Sequence, residues 1–499
     1  MVRTSRARCG APSTRSTVGV VDSARTVIEQ AAALAAAYLE SVGSRPVFPN
    51  VTAEQLRVAL GRPMPDAPLA PAEVVRDLAA AADPGLVGSA GGRYFGFVIG
   101  GGLPAALAAD WLTSAWDQNA GLYVAGPAAS VVEEVVREWL VDLLGLPADA
   151  SVGFVTGTQM AHVTGFAAAR FHVLDAAGWD VGRNGLQGAP RVRVLVGEKR
   201  HVTVDRALRL LGLGAPTVVG ADGQGRMRSD ALAAQLAGHD GPTIVCAQAG
   251  EVNTGAFDPL EEIAEACRPA GAWLHVDGAF GLWAAAAPAY RQLAAGAERA
   301  DSWTTDAHKW LNVPYDSGIV LCAHPRSHRA AMTVHAEYLV QTDGAQPVRD
   351  QLDWVPEFSR RARGFAVYAA LRSLGRSGVA ELVERCCRHA RSFADRIATQ
   401  PGVELLNEVV LNQVLFRYED DARTDAVVER VQRSGRVWLS GTSWDGRRAI
   451  RVSVSNWQTG DEEIDLALET FRAAAAGDTR SGGSSTLDEA LARNRHGAR

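Results

Sequence analysis

The sequence contains very little lysine. Of its 50 lysine and arginine residues, two are lysines, Lys199 and Lys309. An arginine side chain stays protonated, whereas a lysine amine can lose its proton and attack a carbonyl carbon. A genome rich in guanine and cytosine would also deplete lysine, so the scarcity alone assigns no function. It does single out Lys309, which lies in the run Asp-Ala-His-Lys-Trp at 306–310.

The sequence also lacks three features that mark other classes of protein. It has no apolar run of about 18 residues, so we expect no membrane span. Its formal net charge is −6 and its arginines are scattered among acids, so we expect no nucleic-acid partner. Its six cysteines lack the spacing of a metal site, so we expect no metal, and reduced thiols in a cytoplasmic protein. The cysteines are Cys9, Cys246, Cys267, Cys322, Cys386 and Cys387.

The two ends of the chain differ in composition from the middle. Residues 1–22 are rich in arginine and serine, which superficially resembles an organelle transit peptide. We favour a disordered tail, or a translation start placed too far upstream. Residues 476–499 contain a Gly-Gly-Ser-Ser run without sustained apolar periodicity and predict a second disordered tail. Residues 23–90 alternate helical patterns with proline-rich breaks and predict an N-terminal helical segment.

The middle of the chain alternates strand patterns with helix patterns. Strands are predicted at 191–196, 243–248, 273–276 and 318–322, and helices at 105–115, 130–144, 202–211 and 259–267. Such alternation is typical of an α/β protein with a mainly parallel sheet covered by helices. Ligands of these sheets bind at the carboxyl ends of the strands. We therefore expect a large domain over 91–340 with its site at the strand ends, and a smaller α+β domain over 364–475.

An acid and an amine lie at two neighbouring strand ends. Asp277 belongs to the run His-Val-Asp-Gly-Ala at 275–279, and Lys309 follows the next candidate strand. Pyridoxal phosphate needs such a pair, because a lysine amine condenses with its aldehyde while a carboxylate keeps its pyridine nitrogen protonated. Asp277 considered alone could equally be a helix cap at the edge of the core.

Two further segments fit a phosphorylated cofactor. Residues 153–161 turn from a strand-like run into a helix, which presents backbone N–H groups and the positive end of the helix dipole to a phosphate. His201 opens a helix after a strand and could stack on a flat ring. Most Thr-Gly-Thr turns bind nothing and His201 could be solvated, so neither segment assigns a function by itself.

Together and in this order, these segments resemble the group II pyridoxal-phosphate-dependent decarboxylases, which act on glutamate and aromatic amino acids. The resemblance extends over residues 91–475, and its most specific parts are the runs at 275–279 and 306–310. It implies pyridoxal 5'-phosphate as cofactor and the fold type I architecture of aspartate aminotransferase. It also implies decarboxylation of an L-amino acid to its amine and CO2, by a homodimer with its active site at the subunit interface.

The resemblance also implies roles for individual residues. Lys309 would hold the cofactor aldehyde, and Asp277 would pair with the pyridine nitrogen. His201 would stack on one face of the ring as a catalytic residue, and Ala279 would support the other face. The other expected cofactor-binding residues are Thr158, Gln159 and His308, around the phosphate, and Asp306.

The chain departs from the family pattern at 341–363, the segment that the resemblance identifies as a mobile catalytic loop. In the aromatic decarboxylases, a tyrosine three residues before a tryptophan on this loop donates the proton that replaces CO2. The matching tryptophan is Trp354, and the position three before it is Gln351, which has no comparable acidity. Tyr338 and His335 lie just before this loop and could supply the proton instead.

The sequence leaves the substrate open. Phe97, Ile99, Trp111 and Trp116 lie in the part of the chain that walls the substrate pocket in the resembling enzymes, which favours an aromatic or apolar amino acid. Tyr338 and Gln351 complete the expected pocket.

Several alternative functions remain open at this point. An aldehyde synthase that first decarboxylates its substrate is suggested by the missing tyrosine. Arg451 lies in the region where aminotransferases keep a carboxylate-binding arginine, so an aminotransferase is a second alternative. A carbon–carbon or carbon–sulfur lyase would use the same cofactor. A regulatory or scaffold protein that binds the cofactor without turnover would have no evident reason to retain Lys309.

Overall fold

The structure is a computed structural model that describes residues 17–334 and 348–477. The described residues form two compact units, residues 17–88 and residues 89–477.

The first unit contains three helices, α1 Thr17–Ser41, α2 Ala53–Leu60 and α3 Pro71–Ala82. Helix α2 begins with a capping box, in which Thr52 and Gln55 each accept a hydrogen bond from the other's backbone N–H. Pro71 begins α3, where its missing N–H costs no helical hydrogen bond. Among the described residues, no helix is both long enough and apolar enough to cross a membrane.

The second unit is built around a seven-stranded sheet. Its strands are β1 Ser151–Val155, β2 Arg193–Gly197, β3 Thr217–Val219, β4 Thr243–Gln248, β5 Trp273–Asp277, β6 Ser302–Asp306 and β7 Gly318–Cys322. Their order is β1-β7-β6-β5-β4-β2-β3. Strand β7 is antiparallel to both neighbours, and the other pairings are parallel. Most of these strands are buried along their whole length, as expected for a sheet covered on both faces.

Eight helices accompany this sheet. They are α4 Pro104–Trp116, α5 Pro127–Leu143, α6 Thr158–Ala176, α7 Val181–Asn184, α8 Val202–Leu210, α9 Ser229–Leu236, α10 Leu260–Cys267 and α11 Pro325–Met332. Helix α6 packs against β5, β6 and β7 on one side and against α8 and α11 on others. Most of its residues are buried, which fits a helix that is apolar around most of its circumference.

The C-terminal part of the second unit contains a four-stranded antiparallel sheet of order β10-β11-β9-β8. Its elements are α12 Gly364–Ile397, β8 Glu404–Leu405, β9 Gln413–Arg417, α13 Asp421–Arg433, β10 Ser440–Trp444, β11 Arg447–Ser453 and α14 Asp461–Ala476. Helix α12 bends at Gly375, whose φ of 62° lies outside the helical region. The two sheets confirm the predicted α/β class, with a mainly parallel sheet and a smaller α+β part.

The sheet topology gathers three chain segments at one edge. Strand β1 leads through Gly157 into α6, β5 ends at Asp277 and β6 ends at Asp306. Because β4, β5 and β6 are parallel, their carboxyl ends lie side by side, with Gln248 opposite Asp277 in the register. The predicted location of the site at the strand ends is therefore where side chains of several elements meet.

Candidate active site

A cavity of about 480 Å³ lies at these strand ends. Of the eleven expected site residues that belong to the described chain, all except Gln351 contribute to its lining. They are Phe97, Ile99, Thr158, Gln159, His201, Asp277, Ala279, Asp306, His308 and Lys309. Residues separated by more than 200 positions in the sequence thus share one cavity.

The two lysines have different surroundings. Lys309 lies in the cavity, where its Nζ is 3.0 Å from Oδ2 of Asp306. Lys199 lies elsewhere, with its Nζ 2.6 Å from Oδ1 of Asp445 and 4.6 Å from the centre of the Trp444 ring. An ion pair and a cation–π contact account for Lys199. Lys309 is the side-chain amine available to a ligand in the cavity.

Asp277 is a buried carboxylate, 5% exposed. Its Oδ1 accepts a hydrogen bond from the N–H of Ala279 at 3.2 Å, and Nε2 of His162 lies 3.3 Å from its Oδ2 in an oblique approach. Burial by itself would raise the pKa of Asp277, but His162, and then His201 and Lys309, outweigh burial and hold that pKa below its usual range. Asp277 is therefore negatively charged and able to pair with a protonated ring nitrogen.

The turn between β1 and α6 is held by Asp306. Oδ1 of Asp306 accepts from the N–H of Thr158 at 2.7 Å, and its Oδ2 accepts from Oγ1 of Thr158 at 2.6 Å. The same carboxylate contacts Lys309, so one acid links the beginning of α6 to the amine. Gly157 and Gly318 make a close backbone contact beneath this turn, because a Cβ on Gly318 would overlap the backbone of Gly157.

His308 presents a hydrogen-bond donor to the cavity. Its Nδ1 accepts from the N–H of Ser317 at 3.1 Å, so in the neutral ring the proton is on Nε2. Burial lowers the pKa of His308, with Asp306 opposing, which favours the neutral ring. The ring also stacks on Tyr315, with ring centres 4.3 Å apart.

His201 is the N-cap residue of α8, and its Nδ1 lies 2.8 Å from Oγ1 of Thr203. Its Nδ1 also accepts from the N–H of Thr203 at 3.4 Å, which leaves Nε2 as the donor of a neutral ring. Desolvation lowers the pKa of His201, and Asp277 opposes this effect. His201 thus lines the cavity together with Asp277 and Ala279, and its stacking on a flat ring stays a prediction.

The apolar wall of the cavity contains Phe97 and Ile99. Phe97 has a φ of 55°, a left-handed conformation that is uncommon for an aromatic residue. Its ring stacks on Trp438, with ring centres 5.6 Å apart, and Trp438 in turn stacks on Tyr94. This row of rings places the strained Phe97 at the wall of the cavity.

The structure does not place Gln351 at the cavity. Its side chain is 1% exposed, and its Nε2 donates to the backbone oxygen of Ser130 at 3.1 Å. Gln351 was expected at the cavity because of its spacing to Trp354. It instead belongs to a short 3₁₀ helix, Gln351–Trp354, in which Gln351, Leu352 and Asp353 are buried. Tyr338 and His335 lie outside the described residues.

Sequence patterns do not indicate two polar residues of this site, His162, which contacts Asp277, and Gln248, which lines the cavity. They indicate Arg451 only as a candidate carboxylate-binding arginine of an aminotransferase, and the structure places it in the cavity wall, 7% exposed. The signal for His162 was a histidine on an otherwise apolar helix, and the signal for Gln248 was a polar residue at the end of a buried strand.

The cavity has polar groups that suit pyridoxal phosphate. Among the described residues, Oε1 of Gln159, Nε2 of Gln248 and Nε of Arg451 are buried polar atoms without a hydrogen-bond partner in the chain. Buried polar groups are normally paired, so three such atoms around one cavity indicate a polar ligand. The N-terminus of α6 and Nε2 of His308 suit an anionic phosphate, Asp277 suits a protonated ring nitrogen, and Lys309 suits an aldehyde.

Comparison with known proteins gives a consistent result. The family model described as "Pyridoxal-dependent decarboxylase conserved domain" matches residues 54–419. Tryptophan decarboxylase 1 of Oryza sativa subsp. japonica is 27% identical over 489 residues, which cover 90% of this chain and 93% of that protein. Acidic amino acid decarboxylase GADL1 of Mus musculus is 31% identical over 402 residues, which cover 76% of this chain and 72% of that protein.

Solved structures agree on the fold. The crystal structure of Oryza sativa TDC with PLP and tryptamine has a TM-score of 0.85 and 24% sequence identity, and covers 94% of this chain and 100% of that one. The similarity confirms the fold type I architecture predicted from the sequence.

The close contact of Gly318 with Gly157 predicts a local effect of adding one methyl group. In Gly318→Ala the new Cβ must push β7 away from the turn before α6, which we expect to lower the free energy of unfolding by about 1–3 kcal/mol and to weaken cofactor binding. Urea unfolding and titration of the apoenzyme with pyridoxal phosphate would measure the two effects. Gly220→Ala is the matched control, because a Cβ there meets nothing within 4 Å. Equal cofactor affinity in both variants would contradict the role given to this contact.

Proposed function

The chain belongs to the pyridoxal-dependent decarboxylase family and is a pyridoxal-phosphate-dependent amino-acid decarboxylase, and from that premise we propose that its substrate is an aromatic L-amino acid. The products are the corresponding amine and CO2. The observation that carries the proposal is the charge of the cavity wall. Among the described residues that line it, Lys309 and Arg451 are the two basic side chains other than histidine.

Arg451 is the group that we propose binds the substrate carboxylate. Its Nη1 donates to the backbone oxygen of Val252 at 3.2 Å, while its Nε has no partner among the described residues. Burial lowers the pKa of Arg451, and Glu251 opposes this effect, but an arginine with even a lowered pKa remains charged at neutral pH. A buried, incompletely paired guanidinium is stabilised by a carboxylate ligand.

The charge count separates substrate classes. Lys309 is needed for the cofactor, so Arg451 remains for a single carboxylate. An acidic amino acid would bring a second carboxylate, and leaving that charge unpaired in a desolvated cavity is costly. Relatives of both kinds exist, since one similar protein is named for tryptophan and another for acidic amino acids. Phe97, Ile99 and Phe280 in the lining favour the aromatic class for this chain.

The remaining side chains take the roles that their positions allow. When bound, pyridoxal phosphate supplies an aldehyde that amines attack and a ring that accepts the electron pair released at Cα. In this proposal Lys309 holds the aldehyde through Nζ, and Asp277 keeps a proton on the ring nitrogen. His201 and Ala279 flank the ring. Thr158, Gln159 and His308 surround the phosphate, while Asp306, which accepts both hydrogen bonds that Thr158 donates, orients Thr158 and Lys309.

A homodimer is part of the proposal. Helix α4 buries only Ala106 and Thr113 within the described chain, and it exposes Trp111, Leu112 and Trp116 by 41%, 48% and 48%. Exposed apolar side chains concentrated on one helix are typical of a protein–protein interface. We propose that a second copy of the chain covers this face.

The proposal also places the enzyme in the cytoplasm. The five cysteines of the described chain are free and buried, and Cys386 and Cys387 are adjacent without forming a disulfide. Free thiols are maintained in reducing compartments.

The first test of the function is a substrate panel. We expect purified holoenzyme to convert aromatic L-amino acids to amines, and glutamate at least about tenfold less efficiently, which corresponds to about 1.4 kcal/mol of barrier. Mass spectrometry should follow amine, aldehyde and keto-acid products with and without oxygen. A preference for glutamate or diaminobutyrate would overturn the aromatic assignment. Aldehyde formed at the expense of amine in air would identify the chain as an aldehyde synthase.

The second test locates the covalent attachment. Borohydride reduction of the holoenzyme, followed by peptide mapping, should place a pyridoxyl group on Lys309. The amine of Lys199 is held by Asp445 and Trp444, so Lys199→Arg should retain full labelling and Lys309→Arg should abolish it. A pyridoxyl group on Lys199, or labelling that persists in Lys309→Arg, would show that the assignment of the lysine is wrong.

The third test addresses the dimer. Leu112→Glu places a charge on the exposed face of α4, so we expect light scattering after size exclusion to show a monomer or a tenfold or greater rise in the dissociation constant. Leu210→Glu is the control, because Leu210 is equally apolar and 65% exposed on α8. A wild-type monomer, or a Leu112→Glu dimer as tight as the control, would contradict the interface.

A further inference from the structure

We propose that His162, His275 and Ser302 form a buried hydrogen-bond relay that keeps Asp277 charged, with His162 as a positioning residue for the acid. The proposal rests on the proposed function only through the role given to Asp277. It assigns a task to two histidines that are not among the residues lining the cavity.

The relay crosses three elements beneath the cavity. Nε2 of His162, on α6, is 3.3 Å from Oδ2 of Asp277, and its Nδ1 is 3.1 Å from Nε2 of His275 on β5. Nδ1 of His275 is 2.7 Å from Oγ of Ser302 on β6. The last contact of the relay is with Trp273, whose Nε1 donates to the same Oγ at 2.9 Å. His162, His275 and Ser302 are fully buried, so no solvent path competes with these contacts.

The two ends of the relay favour one direction for its hydrogen bonds. The Trp273 indole can only donate, and the Asp277 carboxylate can only accept. Ser302 accepts from Trp273, and in the proposed relay its own hydroxyl proton points to Nδ1 of His275. His275 then carries its proton on Nε2 and donates to Nδ1 of His162, so the N–H of His162 is on Nε2, which lies 3.3 Å from Oδ2 of Asp277.

The opposite arrangement is unfavourable at the Asp277 end. If Nε2 of His162 carried no proton, its lone pair would face the carboxylate oxygen, and His162 would repel the charge that it borders. Burial lowers the pKa of His275 well below its usual range, so a His275 whose Nδ1 accepts from Ser302 has a single proton, on Nε2, facing His162.

The packing of α6 leaves room for this relay. Gly165 lies against His275, and a Cβ at that position would be 2.8 Å from Cε1 of the imidazole. Phe166 stacks on His162 and contacts His275, with ring centres 5.6 and 4.6 Å away. A glycine in the middle of the helix and a phenylalanine beside both rings hold the two histidines in register.

The relay offsets the effect of burial on the charge of Asp277. Burial favours the neutral form of Asp277, and a neutral acid would leave a ring nitrogen unprotonated. Ala279 supplies a donor to one carboxylate oxygen, and His162 borders the other. Without His162 the proton shared by acid and ring moves to Asp277.

The test reads the ring nitrogen directly. Holoenzyme is loaded with pyridoxal phosphate labelled with ¹⁵N in the ring, and the ¹⁵N resonance reports whether that nitrogen is protonated. We expect a pyridinium resonance in the wild type, its loss in His162→Phe, and its return in His162→Gln, which can donate but cannot titrate. His328→Phe is the matched control, because His328 is also fully buried and contacts a serine Oγ through Nδ1 and a backbone oxygen through Nε2, both at 2.8 Å.

Each outcome separates this inference from the proposed function. A pyridinium resonance that persists in His162→Phe overturns the relay but does not affect the proposed decarboxylase function. An equal loss of the resonance in His328→Phe would show that any buried histidine has this effect, and it would also overturn the relay. A neutral ring in an active wild type overturns the role of Asp277. If His162→Phe does not fold, Gly165→Ala replaces it, since this change keeps every polar group and displaces His275. A partial loss of the pyridinium resonance there supports the relay, and an unchanged resonance refutes it.

Discussion

The site depends on keeping one negative charge, that of Asp277, inside the protein. A buried carboxylate without partners would take up a proton, so the elements around it must supply donors and positive charge. Helix α6 brings His162, the start of α8 brings His201, and the segment after β6 brings Lys309. The same three elements contribute to the lining of the cavity, so the arrangement that keeps the acid charged also builds part of the binding site. Fold and chemistry are coupled at this residue.

The substrate side of the cavity is built by a different part of the chain. Phe97 and Ile99 precede the large sheet in sequence, while Arg451 comes from the small sheet and reaches the backbone oxygen of Val252. The wall is therefore assembled from segments far apart in the chain, and the row of rings from Tyr94 through Trp438 to Phe97 ties the first of them to the C-terminal part. Recognition of the substrate side chain and binding of the cofactor thus depend on different structural elements. The substrate preference can therefore change while the cofactor site is retained.

Much of the fold and part of the site could be predicted from sequence patterns, for identifiable physical reasons. Buried strands such as β4 and β5 are mostly apolar, and parallel strands bring Asp277 and Lys309 to one edge, so their meeting was predictable. Strand β3 has three residues and β10 is partly exposed, so neither has a clear pattern. His162 could not be recognised because a histidine on an apolar helix is more often a core residue, and its partner lies over 100 positions away. The position of Gln351 depended on side-chain direction, which spacing to Trp354 does not determine.

The contacts of Lys199 affect how the protein reacts with aldehydes and other reactive carbonyl compounds. Its amine donates a hydrogen bond to Asp445 and lies over the Trp444 ring, so it is already engaged in two contacts. The remaining cations of the surface are guanidinium groups, which stay protonated and do not form imines as amines do. Aldehydes in the surrounding solution therefore encounter a surface with almost no competing side-chain amine. Lysine amines that could compete with Lys309 for an aldehyde are therefore few in this chain, whatever the origin of the lysine scarcity.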